Sequence, residues 1–230
     1  MLGLGNSLTS TYPGGWSPTD LGSKLIHWYK LNTGITTTTV SGTDGLITQW
    51  TDQKGSNNMA PEVTNNGAVM PILDADGSVK FSGATDVLVF ASDLSLGKFA
   101  IYGRFKSSNF NDRFLQKSDG GEFLKFQSTT QFKVQPGGSR KDMTISGDAG
   151  LANDTKFTAG FERDADGDIF AFANRFASST DANEAISNTT DVQEISSDSP
   201  GTLNVYEFVV CNDSLTAAER LEINAYLDAI

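Results

Sequence analysis

The stretch Phe99-Ala100-Ile101-Tyr102-Gly103-Arg104-Phe105-Lys106 decides the fold. Read as a strand, its period of two places Phe99, Ile101, Gly103 and Phe105 on one face and Ala100, Tyr102, Arg104 and Lys106 on the other. A slip of one residue would bury both charges. Outward from it, short apolar or alternating runs recur between clusters of Gly, Asn, Asp and Ser. They are Ile26 to Tyr29, Ile47 to Trp50, Val79 to Phe81, Val87 to Phe90, Phe123 to Phe126, Phe132 to Val134, Phe157 to Arg163, Ile169 to Asn174 and Val205 to Cys211. So many strands overfill one sheet and must divide into two packed sheets or close on themselves. The continuous run Val87-Leu88-Val89-Phe90 predicts an interior strand covered on both sides.

Helical periodicity occurs once, from Thr216 to about Asp228. Thr216 and Glu219 have the spacing of a capping box, in which each side chain satisfies a backbone donor left free by the first turn. Ile223, Tyr226, Leu227 and Ile230 form a narrow apolar stripe, and Leu221 falls off it. The expectation is an all-β sandwich of two antiparallel sheets with a short C-terminal helix.

A chain of 230 residues can hold this in one domain. Its 15 Phe outnumber 3 Trp and 5 Tyr, so most aromatic mass has no polar handle and belongs inside. The formal charge of −11 repels phosphate backbones and anionic headgroups, which argues against nucleic acid and membrane surfaces as partners. The single Cys, Cys211, permits neither an internal disulfide nor a thiol-rich zinc cluster, and in Phe208-Val209-Val210-Cys211 it reads as a small buried hydrophobe. The opening residues show neither the basic segment nor the long apolar stretch of a secretory signal, so synthesis and retention in a cytosol are expected.

Residues 1 to 20 read as a flexible N-terminal docking arm ahead of the sandwich at 21 to 230. The arm is rich in Gly, Ser, Thr and Pro and carries scattered apolar side chains at Leu2, Leu4, Leu8, Tyr12 and Trp16. These five follow no local period, so they are the candidates for docking on another subunit of a homo-oligomer or multi-copy assembly.

The order of segments resembles the concanavalin A-like lectin and glucanase superfamily, in its laminin G-like group. The residues that carry the resemblance are His27-Trp28-Tyr29; Ile47 to Gly55; Pro71 with Val79-Lys80-Phe81-Ser82-Gly83 and Asp86; Phe161 to Gly167; and Val205 to Val210 running into Leu215 to Arg220 with Tyr226-Leu227. The resemblance implies a jelly roll. The opening Met-Leu-Gly-Leu-Gly-Asn-Ser-Leu is similar to the start of structural proteins of marine tailed phages, including cyanophages. It implies a virion location, other virion proteins as partners, and the role of a decoration or appendage subunit. The alternative is a carbohydrate-binding module for a host-surface glycan.

Glucanases of this superfamily alternate Glu, Asp and Glu along one strand as acid and nucleophile. Glu162, Asp164 and Asp166 alternate likewise, but the second Glu is missing. Asp164-Ala165-Asp166-Gly167 is also a hairpin signal that would splay the side chains. No catalytic residue is therefore assigned. Asp164, Asp166 and Asp168 could hold calcium on one loop, yet a solvated turn like that at Asp74-Ala75-Asp76-Gly77 is the preferred reading. No metal and no cofactor are expected. His27, the only histidine, lacks a nucleophile motif and reads as a strand residue. Sugar binding would need an exposed aromatic platform beside polar groups, for which Trp16, Trp50, Tyr12 and Tyr102 are the candidates.

Overall fold

The computed structural model describes residues 15–62, 70–83, 85–179, 182–197 and 201–230. Leu2, Leu4, Leu8 and Tyr12, and the opening eight residues, lie outside these. The strands in chain order are β1 (Leu25–Tyr29), β2 (Ile35–Val40), β3 (Thr43–Trp50), β4 (Met59–Ala60), β5 (Ile72–Leu73), β6 (Val79–Phe81), β7 (Val87–Leu96), β8 (Phe99–Ser107) and β9 (Asp112–Gln116). They continue with β10 (Phe123–Ser128), β11 (Gln131–Gln135), β12 (Lys141–Thr144), β13 (Lys156–Arg163), β14 (Asp168–Ala173), β15 (Phe176–Ala177), β16 (Ala182–Asn183), β17 (Thr190–Ser196) and β18 (Leu203–Cys211), and α1 (Ala217–Asp228) closes the chain.

The pairings are antiparallel and resolve into two sheets. In the first, β1 and β6 share one edge of β18, and β8, β13 and β14 follow, with β15 and β16 against β14. The second runs β2, β3, β4, β7, β17, β9, β10, β11, β12. β5 pairs with both β3 and β6, so the sheets are continuous along one edge. Apart from Phe170 and Phe176, every Phe is buried. Between the sheets Phe105, Phe114, Phe126, Phe157 and Phe161 pack at ring distances from 4.5 to 6.0 Å, in the edge and offset arrangements that aromatic quadrupoles favour.

β8 takes the register expected of it: Phe99, Ile101 and Phe105 enter the inter-sheet core. Its other face does not meet water along its whole length. Ala100 and Tyr102 are buried in a second core with Leu25, Trp28, Val209, Cys211, Ile223 and Leu227, because α1 lies across this outer face of the first sheet. The helix begins as its sequence predicts, with Thr216 and Glu219 each accepting from the other's backbone amide. Leu221 is 64% exposed, which agrees with its position off the apolar stripe.

Candidate functional site

The outer face of the first sheet carries both the polar fastenings of α1 and the clefts beside it. Asp228, in the last turn, gathers three elements. Its Oδ1 accepts from Arg104 Nη1 of β8 (3.0 Å) and Thr158 Oγ1 of β13 (2.7 Å), and its Oδ2 accepts from Arg175 Nε and Nη2 (3.1 and 2.7 Å). Arg175 occupies the two-residue turn between β14 and β15, where Asn174 and Arg175 have φ of 43° and 78°. Residues with a Cβ rarely adopt that conformation. The fork of two N–H donors onto Asp228 helps hold Arg175 in it.

Where the chain enters the domain, Ser17 and Asp20 cap a short turn at Pro18–Leu21 whose Pro18 and Leu21 are buried. This fixes Trp16 edge-on against Tyr226 of α1, with ring centroids 5.9 Å apart. Gly15, Trp16, Arg175, Ala225, Tyr226, Asp228 and Ala229 then line an open cleft of about 580 Å³. The Trp28 indole donates to Glu207 and that of Trp50 to the Lys30 carbonyl. The Trp16 indole has no hydrogen-bond partner among the described residues. Of the expected sugar platforms, Trp50 is buried in the inter-sheet core and Tyr102 beneath α1. Tyr12 lies outside the described residues. Of the three that are described, Trp16 alone lines a cleft.

A second cleft, of about 420 Å³ at the start of the helix, contains Glu162 and Asp164 with Phe170, Phe172 and Arg220. Burial raises the Glu162 carboxyl above its ordinary value, partly offset by Tyr102 and Arg220. At 1% exposure, its Oε1 accepts from the Tyr102 hydroxyl (2.6 Å) and its Oε2 from Arg220 Nη1 (3.0 Å). Asp164 turns its Oδ1 to the amides of Asp166 and Asp168, both at 3.0 Å, so it shapes the β13–β14 hairpin. Gly167 completes that turn at φ 87°. Among the described residues no three His, Cys, Asp or Glu side chains gather in a metal-binding group.

His27 Nδ1 donates to Asp52 Oδ2 at 2.7 Å. Asp52 also accepts from the amides of Trp28 and Lys54 (both 3.0 Å) and Asn57 (3.3 Å). Burial pushes this carboxyl up, and the hydrogen bonds from His27 and the surrounding amides outweigh it and hold it well below the usual carboxylate range. A Cβ on Gly55 would stand 2.7 Å from Asp52 Oδ2, which accounts for glycine there. This pair anchors the loop after β3. Cys211 is buried, and its thiol is pushed up to about 12, chiefly by desolvation.

No family model matches the sequence, and no curated protein matches it. Solved structures do. The serotype D botulinum neurotoxin ligand-binding domain in complex with N-acetylneuraminic acid superposes with a TM-score of 0.58 at 11% identity, over 90% of this chain and 51% of that one. The receptor-binding domain of the C/D mosaic neurotoxin gives 0.59 at 12% identity, over 90% and 51%. The binding domain of Paraclostridial Mosquitocidal Protein 1 gives 0.55 at 11%, over 86% and 53%. The chain thus spans about half the length of these domains, and at such identities the likeness shows a shared β-sandwich fold.

Proposed function

We propose that the chain is a non-catalytic binding module that holds a neutral sugar ring against Trp16 in the cleft beside α1. The observation that carries this reading is the Trp16 ring standing at a cleft mouth next to the Arg175–Asp228 fork. A flat apolar ring stacks on the C–H face of a sugar, while the flanking charged pair offers donors and acceptors to its hydroxyls. The Arg175 guanidinium is already held by Asp228, which Arg104 also shares, so the cleft lining offers polar partners for hydroxyls rather than a cation without a partner. The binding of N-acetylneuraminic acid and sialylated ligand by proteins of similar fold supports a glycan as the ligand class. Absence of catalysis is supported by Glu162 and Asp164, whose oxygens serve α1 and the hairpin turn.

A place on a tailed-phage particle, as a decoration or appendage subunit contacting other virion proteins, rests on the resemblance of Met1 to Leu8. Such a subunit would present the cleft to a host-surface glycan. The test is a screen against a glycan panel, followed by calorimetric titration of the strongest neutral ligand. Trp16→Ala should weaken binding at least tenfold, about 1.4 kcal/mol, without changing the melting temperature by more than a few degrees. Full affinity in Trp16→Ala, or no neutral ligand in the panel, would remove the cleft from consideration.

A further inference from the structure

At the end of the first sheet's outer face that α1 leaves open, the register aligns three lysines. Lys80 of β6 is opposite Asn204 of β18, Asn204 is opposite Lys106 of β8, and Lys106 is opposite Lys156 of β13. Val79, Phe81, Phe105 and Phe157 on the same strands enter the inter-sheet core, so the lysines between or beside them face outward. All three side chains are partly exposed. None of the three forms an ion pair among the described residues. The Lys156 ammonium lies 4.1 Å over the Tyr206 ring and donates to the Ile230 carbonyl at 3.3 Å. The nearby carboxylates are engaged elsewhere: Asp74 accepts from Asn204, and Asp76 from Tyr206 and Ser78. Lys106 still lowers the Asp76 carboxyl from a distance, after burial and the hydrogen bonds have acted.

Like charges directly opposite across a strand pair destabilise a sheet, and Lys106–Lys156 is such a pair. Although the chain has a formal charge of −11, no carboxylate of the described residues comes within ion-pair distance of the row, and Asp76 meets Lys106 only through space. Strand spacing puts the Cα atoms of Lys106 and Lys156 roughly 5 Å apart and those of Lys80 and Lys106 roughly 10 Å apart along a line crossing the strands. We propose that this row is a second binding surface, which takes a polyanionic glycan bearing one carboxylate per sugar, laid across β6, β18, β8 and β13. The overall negative charge opposes every long polyanion alike, so recognition rests on the row of lysines meeting the carboxylates of a few successive sugars. The choice of a glycan as the polyanion rests on the sugar-binding function proposed above.

The probe is a polyuronate oligosaccharide, titrated into the full chain at low and at moderate salt, beside a single-stranded DNA of equal charge. Wild type should bind the uronate, with affinity falling severalfold as salt rises. Lys106→Gln with Lys156→Gln should lower it at least tenfold, and Lys106→Arg with Lys156→Arg should restore it. The Gln pair should keep the affinity for the neutral ligand of the cleft. If no neutral ligand exists and the uronate still binds through the lysines, the cleft reading falls and the row stands. Undiminished uronate binding by the Gln pair, no uronate binding by wild type, or tighter binding of the DNA would each overturn the proposal.

Discussion

The Asp52 carboxylate shows how one side chain fixes a loop that its neighbours in sequence do not. It accepts from His27 and from amides on both sides of the turn that follows β3, so losing it leaves several buried donors without a partner. Asp52→Ala should cost about 3 kcal/mol at neutral pH. Because its folded value lies below its ordinary 3.8, the stability it supplies is complete above that value and disappears as pH falls toward the folded one. Urea melts of wild type and Asp52→Ala should therefore draw together progressively as pH falls below about 4, and the gap should close only near the folded value. A gap that stays constant with pH would show that the carboxylate's charge contributes nothing. The sequence showed His27 and Asp52 only as members of separate runs, and nothing in their spacing declared the pairing. The same limit applies to Trp16. It was a candidate among several, and packing alone separates it from Trp50 and Tyr102.

Among the elements, α1 was the most legible and its consequences the least. The capping residues and apolar stripe predicted its start and its buried face, but not that it would cover Ala100 and Tyr102. Leu227 is fully buried and Leu221 is exposed. Leu227→Ala should cost about 2–5 kcal/mol, and Leu221→Ala should stay within about 0.5 kcal/mol, both read from urea denaturation. Equal losses would mean that the helix docks on another face. Strands β2, β12 and β17 escape the alternation for identifiable reasons. A bulge between Val192 and Glu194 breaks the alternation in β17, so Val192 and Ile195 both face the core. β2 is nearly all Thr and has two register shifts. β12 contributes a single core side chain, Met143.

For the whole molecule, a large Phe count and many short strands sufficed to specify a two-sheet sandwich, because both are properties that survive without knowledge of contacts. The cleft was not legible in that way. Trp16, Arg175 and Asp228 are distant in sequence, and only the docking of the entering segment and α1 on the sheet brings them together. Chelator should leave the melting temperature unchanged if the Asp164–Asp168 turn is held by its own hydrogen bonds; a drop of several degrees, absent in Asp166→Ala, would mark a bound cation. The central claim, sugar binding at Trp16 without chemistry, has a direct test in the three indole N–H resonances of Trp16, Trp28 and Trp50. Titrating the panel's neutral ligand into labelled protein should shift one indole signal most, saturably, and that signal should be the one missing from Trp16→Phe, while the ligand's own spectrum stays intact for hours. Invariance of the Trp16 signal at saturating ligand, or the appearance of new reducing ends, would contradict the account.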